Sequence, residues 1–147
     1  IDELMSLSPN GERSLFLRNI GNIRMDMNGV ERLDLTALGG ADTVTVNDMS
    51  GTDFRRADVD LSSPTGAADG AADIVTVKGT EQADNIHVRV AGARVAVDGL
   101  RTETVVAGGE PIDLLQVDAL GGDDKVNVDP AASALIGVGV ELGSGQN

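Results

Sequence analysis

The sequence contains no cysteine, no tryptophan and no tyrosine, and its only phenylalanines are Phe16 and Phe54. The lack of cysteine excludes disulfides, zinc–thiolate sites and thiol catalysis within these residues. With so few aromatic rings, the core must be built from valine, leucine, isoleucine, alanine and methionine, which suits thin, repetitive layers. No apolar run approaches the roughly 20 residues that a membrane helix needs, so we expect no membrane insertion.

Basic residues are also scarce. The chain has 11 lysines and arginines against 24 aspartates and glutamates, which gives a formal net charge of −13. Such a surface repels nucleic acids and anionic lipids, so neither is expected as a partner. Most of the acid is aspartate, which is both a turn residue and a hard oxygen ligand. This composition favours cation binding, solubility, or both.

Apolar and polar residues alternate along most of the chain, a period of two that predicts half-buried strands. Short turns rich in glycine, aspartate and asparagine separate the runs. Only the opening residues 1–7 suggest a turn or two of helix, and residues 62–73 predict the longest loop. The predicted strands cover residues 14–18, 22–27, 32–36, 43–47, 57–61, 74–78, 85–90, 94–98, 114–118 and 125–129.

One phrase occurs twice. LDLTALGGADTVTV fills residues 33–46 and LQVDALGGDDKVNV fills residues 115–128, while the shorter forms ADIVTV and ADNIHV begin at Ala72 and Ala83. Internal repetition of this kind indicates a stacked architecture. We therefore predict an all-β fold, specifically a β-solenoid like a parallel β-helix or β-roll, with a β-sandwich as the alternative. Residues 1–147 are expected to form one domain, a fragment of a longer protein because the chain opens on Ile1 without an initiator methionine.

The phrases ALGGADTVTV and ALGGDDKVNV resemble the haemolysin-type calcium-binding (RTX-like) repeat proteins, in a diverged segment upstream of the nonapeptide array. The resemblance covers about residues 19–147. Proteins of that family are large, secreted and bacterial, and their glycine–aspartate turns wind into a β-roll around calcium. The family nonapeptide is G-G-x-G-x-D-x-U-x, in which U is a large apolar residue. Both turns here are two residues shorter, and the terminal LGSGQN replaces the first glycine by leucine and the aspartate by asparagine.

The resemblance implies calcium as a cofactor, held by the two glycine–aspartate turns. The alternative is that the aspartates are turn residues that accept backbone hydrogen bonds. His87 is the only histidine and no G-x-S-x-G motif occurs, so we expect no catalytic residues and no enzyme. The implied metal ligands are Gly39, Gly40, Asp42, Gly121, Gly122, Asp123 and Asp124.

The leading functional hypothesis is a non-enzymatic structural and calcium-associated repeat module of a large secreted or surface bacterial protein. The alternative is a module that binds an unknown protein or glycan partner, with Arg13, Arg55, Arg56 and Arg101 as polar contacts. A carbohydrate-active β-helix enzyme is a third hypothesis, disfavoured because sugar clefts use aromatic rings. Edge strands also present a route to self-association.

Overall fold

The computed structural model describes residues 2–37 and 39–145. These residues form thirteen β-strands and two short 3₁₀ helices, Ile20–Asn22 and Pro130–Ala134, and none of the described residues is α-helical. No helix in this described part is long and apolar enough to cross a membrane. The strands are β1 (Leu4–Asn10), β2 (Arg13–Arg18), β3 (Ile23–Met27), β4 (Arg32–Thr36), β5 (Thr43–Val46), β6 (Arg56–Asp60), β7 (Ile74–Lys78), β8 (Asn85–Ala91), β9 (Arg94–Asp98), β10 (Glu103–Ala107), β11 (Leu114–Asp118), β12 (Lys125–Val128) and β13 (Gly137–Glu141).

The strands form two mixed sheets that do not close into a barrel. The seven-stranded sheet has the order β13-β11-β7-β5-β1-β2-β3, and the six-stranded sheet has the order β12-β8-β9-β10-β6-β4. Successive strands lie in alternate sheets, except within the meanders β1-β2-β3 and β8-β9-β10. The all-β prediction is confirmed.

Most neighbouring strands are parallel, because the chain returns to the same sheet in the same direction after each visit to the other. The exceptions surround β2 and β9, each of which is antiparallel to both of its neighbours. It follows that β3 runs in the same direction as β1, and β8 in the same direction as β10. Within each sheet, only one strand runs against the rest.

One apolar core receives side chains from the inner faces of both sheets. Rows of aligned side chains cross the strands, such as Val44, Val75 and Leu115 in the seven-stranded sheet. Each of these three side chains is at most 1% exposed, so the row is shielded from solvent. Phe54, at 0% exposed, is one of two aromatic rings in this core. Small aliphatic side chains in stacked rows therefore supply most of the apolar burial.

The opening prediction was wrong, because residues 4–10 form strand β1 rather than a helical turn. Leu4–Leu7 pairs with β5 in parallel and Met5–Asn10 pairs with β2, so pairing on both sides determines the conformation. The predicted loop at residues 62–73 contains no strand, as expected. Strands β10 and β13 were not predicted.

Candidate functional site

The two copies of the repeated phrase occupy opposite crossings between the sheets. The first copy contains β4 and β5, and passes from the six-stranded sheet to the seven-stranded one. The second contains β11 and β12, and passes in the other direction. In both, a Gly-Gly turn joins the strands, and an aspartate immediately precedes the second strand. Leu38, which matches Leu120 in the repeat, lies outside the described residues.

The first predicted turn, Gly39, Gly40 and Asp42, lies between β4 and β5. Both glycines have positive φ angles, 116° and 112°, which the turn requires. Asp42 is 1% exposed, and its Oδ1 accepts a hydrogen bond of 2.8 Å from the backbone N–H of Glu3. The carboxylate of Asp42 thus binds a backbone group 39 residues away rather than its own turn.

The second predicted turn, Gly121, Gly122, Asp123 and Asp124, lies between β11 and β12. Asp123 is exposed, whereas Asp124 is buried at 6% exposure. The Oδ1 of Asp124 accepts a 2.9 Å hydrogen bond from the backbone N–H of Asp84. Gly122 has φ 100° and lies against the backbone of Gln82, so a side chain there would overlap the neighbouring turn.

The structure does not place the two predicted turns in one site, because Asp42 leads into the seven-stranded sheet and Asp124 into the six-stranded one. In the described ranges, no three aspartate, glutamate or histidine side chains are grouped in a way that could hold a metal ion. The assignment of calcium to these turns stays a prediction.

Three aspartates form a continuous row at the start of the seven-stranded sheet's strands. Asp42 donates its backbone N–H to the Oδ1 of Asp73 at 2.8 Å, and Asp73 donates its own to the Oδ1 of Asp113 at 2.9 Å. The main chain continues in step, since Ile74 and Leu114 donate to the carbonyls of Asp42 and Asp73. Each carboxylate therefore satisfies the N–H group that begins the neighbouring strand, a group that would be costly to bury unpaired.

The six-stranded sheet repeats this arrangement with Asp84 and Asp124. The carboxylate of Asp84 also holds its own turn, because it accepts the backbone N–H of Thr80 at 2.7 Å and the Thr80 hydroxyl at 2.9 Å. The recurring aspartates thus accept backbone hydrogen bonds, as the turn-residue interpretation expects, but for Asp42, Asp73 and Asp124 the donor lies at the start of a neighbouring strand.

Burial makes the row electrostatically unusual. Asp42, Asp73 and Asp113 are each at most 2% exposed. Burial, followed by the neighbouring carboxylates of Asp113, Asp69 and Asp42, raises the pKa of Asp73 to about 6. The pKa of Asp42 is also raised, mainly by burial. The Oδ2 atoms of Asp42 and Asp73 are buried without a hydrogen-bond partner in the described structure, so each could accept a proton or a cation.

Sequence reasoning missed Asp113. It lacks the preceding alanine or Gly-Gly that marked the other four aspartates, but it shares a simpler pattern with them. DTVTV, DIVTV, DNIHV, DLLQV and DKVNV all have the form D-x-apolar-x-Val, and they begin at Asp42, Asp73, Asp84, Asp113 and Asp124. In every case the aspartate immediately precedes a strand, and at least one apolar side chain of that strand packs in or against the core.

The outer face of the six-stranded sheet carries a network of ion pairs. Arg56 contacts Asp58 at 2.8 Å and Glu103 at 3.6 Å, and Arg89 joins Glu103 to Asp98. Hydrogen bonding to Arg56 lowers the pKa of Asp58. These partners already engage Arg56, and Asp26 engages Arg13 in the same way. Arg101 donates to the backbone carbonyl of Thr52.

Comparison of the chain with protein-family models, curated proteins and solved structures finds no match.

Proposed function

We propose that this chain is a non-enzymatic, calcium-associated structural module of a large secreted or surface bacterial protein, similar to the diverged segments of haemolysin-type repeat proteins. We further propose that its two sheets constitute a β-solenoid with hairpin insertions. The observation that carries the proposal is the row of Asp42, Asp73 and Asp113, in which each aspartate secures the start of the next strand.

Strand order supports the solenoid interpretation. The aspartate contacts join residues 39, 31 and 40 positions apart, which is the length of chain between equivalent points of the stack. Each such length visits both sheets once. Stacked repeats of this kind contact mainly their neighbours, which gives a rod-like spacer rather than a closed cavity for chemistry.

Two features support the association with calcium. Carboxylate and carbonyl oxygens are the ligands that calcium prefers, and the Oδ2 atoms of Asp42 and Asp73 have no donor among the described residues. A net charge of −13 also destabilises the folded chain by self-repulsion, which a bound divalent cation would reduce. Binding to the folded state alone would raise its stability by mass action.

The test is thermal unfolding in calcium, in magnesium and in excess chelator. We expect a higher midpoint in calcium than in the other two, and a smaller difference in Asp42→Asn or Asp124→Asn. Asp98→Asn, on the ion-paired outer face, is the matched control and should keep the full difference. Equal midpoints in calcium and chelator would disprove the calcium association, and the structural role would then rest on the apolar rows alone.

A second candidate function is binding of a protein or glycan partner. It is favoured by an open cleft of about 510 Å³ beside β1, β2 and β3, whose lining includes Leu4, Leu17 and Arg24. Leu4 is 59% exposed, a large fraction for leucine. Binding of a partner through this cleft would be weakened by Leu4→Asp, whereas the calcium response would be unchanged.

A further inference from the structure

The two sheets end in unpaired strand edges. β12 and β13 are the outermost strands at one end, and β3 and β4 are outermost at the other. Among residues 2–37 and 39–145, no strand pairs with their outer edges. Such edges present rows of backbone N–H and C=O groups that can pair with another chain.

The end formed by β12 and β13 is apolar. Val140 aligns with Val117, and Val128 aligns with Val88, and both of these inner neighbours are at most 2% exposed. Val140 and Val128 themselves are 39% and 37% exposed. The rows of the core therefore continue to this end, where no other strand of the described residues covers their apolar side chains.

The end formed by β3 and β4 also carries apolar side chains, but it is concave and is lined by Glu3, Arg18 and Asp34 as well. A cleft of about 230 Å³ opens between these strands, and its lining includes Phe16, Met25 and Leu35. Met25 is 38% exposed and belongs to the same row as Val140. The strand registers define this row from one edge of the seven-stranded sheet to the other: Val140, Val117, Val77, Val46, Leu7, Phe16 and Met25.

The direction of the strands matches at the two ends. In the seven-stranded sheet, β2 alone is antiparallel to the other strands, so β3 and β13 run in the same direction. In the six-stranded sheet, β9 alone is antiparallel to the other strands, so β4 and β12 also run in the same direction. A second copy placed head to tail would pair β13 with β3 and β12 with β4, both in parallel. These are the pairings that already join the strands outside the meanders.

We propose that the β12–β13 end of one copy binds the β3–β4 end of another, so that both sheets continue from copy to copy. In the register of the existing rows, Val140 meets Met25, Val138 meets Ile23 and Val128 meets Leu33. A two-fold contact between identical ends would instead pair β13 with β13 in antiparallel orientation. The head-to-tail contact is heterologous and does not close on itself, so it predicts short linear assemblies.

The negative charge of the chain opposes this association, so ionic strength and charge substitutions should change its extent. Each copy carries −13, so the repulsion between copies is long-ranged and is screened by salt. In the row register, Glu141 falls in line with Asp26 of the next copy. Assembly should therefore increase with ionic strength, and Glu141→Lys should increase it further by replacing a like-charge pair with an opposite-charge one.

The proposal goes beyond the structural role above and is tested separately from it, in the presence of chelator. Analytical ultracentrifugation over a range of protein concentrations measures the assembly state of Val140→Lys, which blocks one end, and Met25→Lys, which blocks the other. We expect each variant alone to be monomeric and an equal mixture to form dimers and nothing larger, because one competent end remains on each. If Val140→Lys does not fold, Val128→Lys replaces it, because Val128 lies at the same end but on β12 of the six-stranded sheet.

The matched control is Ile74→Lys, since Ile74 is 38% exposed but lies on β7, between two paired neighbours. It should assemble like the unmodified chain. A chain that stays monomeric at every concentration and salt would overturn the proposal. A variant with one blocked end that still dimerises alone would also overturn it, in favour of a two-fold contact.

Discussion

Replacement of Asp73 by asparagine tests the physical account of the aspartate row. Asparagine keeps an Oδ1 atom that can accept the N–H of Asp42, and it removes the charge that burial opposes. Asp73→Asn should therefore stabilise the fold at neutral pH, although it removes a buried carboxylate that sequence repetition singles out.

The magnitude follows from the pKa of Asp73, which rises from 3.8 to about 6 on folding. A raised carboxyl pKa means that the folded state binds the proton more tightly, so this group contributes stability below pH 3.8 that is lost as the pH rises through 6. The full loss is about 3 kcal/mol, at about 1.36 kcal/mol per pKa unit. Between pH 8 and pH 5 the native protein should recover roughly 1 kcal/mol of it.

Urea unfolding in chelator at several pH values between 5 and 8 measures this effect. The advantage of Asp73→Asn over the native chain should be largest at pH 8, and should shrink by roughly 1 kcal/mol on lowering the pH to 5. Asp58→Asn is the matched control. Because Arg56 lowers the pKa of Asp58, its contribution is lost only as the pH falls below the ordinary range of a carboxyl. Its effect should therefore be destabilising and constant over this range.

Two results would refute the reasoning. If Asp73→Asn is less stable than the native chain at pH 8, the charge of Asp73 is compensated rather than opposed by its surroundings. If the difference between the two proteins does not change with pH, Asp73 does not titrate between pH 5 and 8.

Two further predictions concern backbone contact and core packing. Gly122→Ala should destabilise the fold by more than about 2 kcal/mol, because its Cβ would overlap the backbone of Gln82. Gly39 has a similar φ, but among the described residues beyond its chain neighbours its Cβ would meet only Asp69 within 4 Å, so Gly39→Ala should cost about 1–2 kcal/mol for backbone strain alone. Phe54→Ala should cost about 3–5 kcal/mol, because the ring is 0% exposed; a loss below about 1 kcal/mol in urea unfolding would show that the core collapses around the gap.

The alternation of apolar and polar residues predicted ten of the thirteen strands, and the three missed strands have physical reasons. β1 contains Pro9, and its conformation depends on pairing with β5, more than thirty residues away. In β10, Thr104, Val105 and Val106 are all buried, which hides the period of two. In β13, Gly137 and Gly139 supply the outward positions, so the segment resembles a turn.

Repetition identified Asp42, Asp73, Asp84 and Asp124 from the sequence, but not their partners. The carboxylates of Asp42, Asp73 and Asp124 accept the backbone N–H of a residue 31 to 40 positions away, and which residue that is depends on the strand order. The carboxylate of Asp84 instead accepts from Thr80 in its own turn. The repeated phrase also suggested equivalent locations for its two copies, whereas the structure places them at opposite crossings. The local sequence specifies that the chain crosses from one sheet to the other. Which sheet it leaves depends on the number of strands that precede the turn.

The two meanders show that the chain forms an odd number of strands in one sheet before it crosses to the other. Where the chain stays in one sheet, it forms three strands instead of one, because an even number would leave it at the wrong end of the sheet for the next crossing. Strands can therefore be added to or removed from one visit to a sheet only in pairs, as a hairpin. The tip of the β8–β9 hairpin is a suitable place for such an insertion, because a Cβ added at Gly92 would meet no atom within 4 Å in the described part of the chain beyond its immediate neighbours. A family of such chains could differ by whole hairpins and still keep every remaining row aligned.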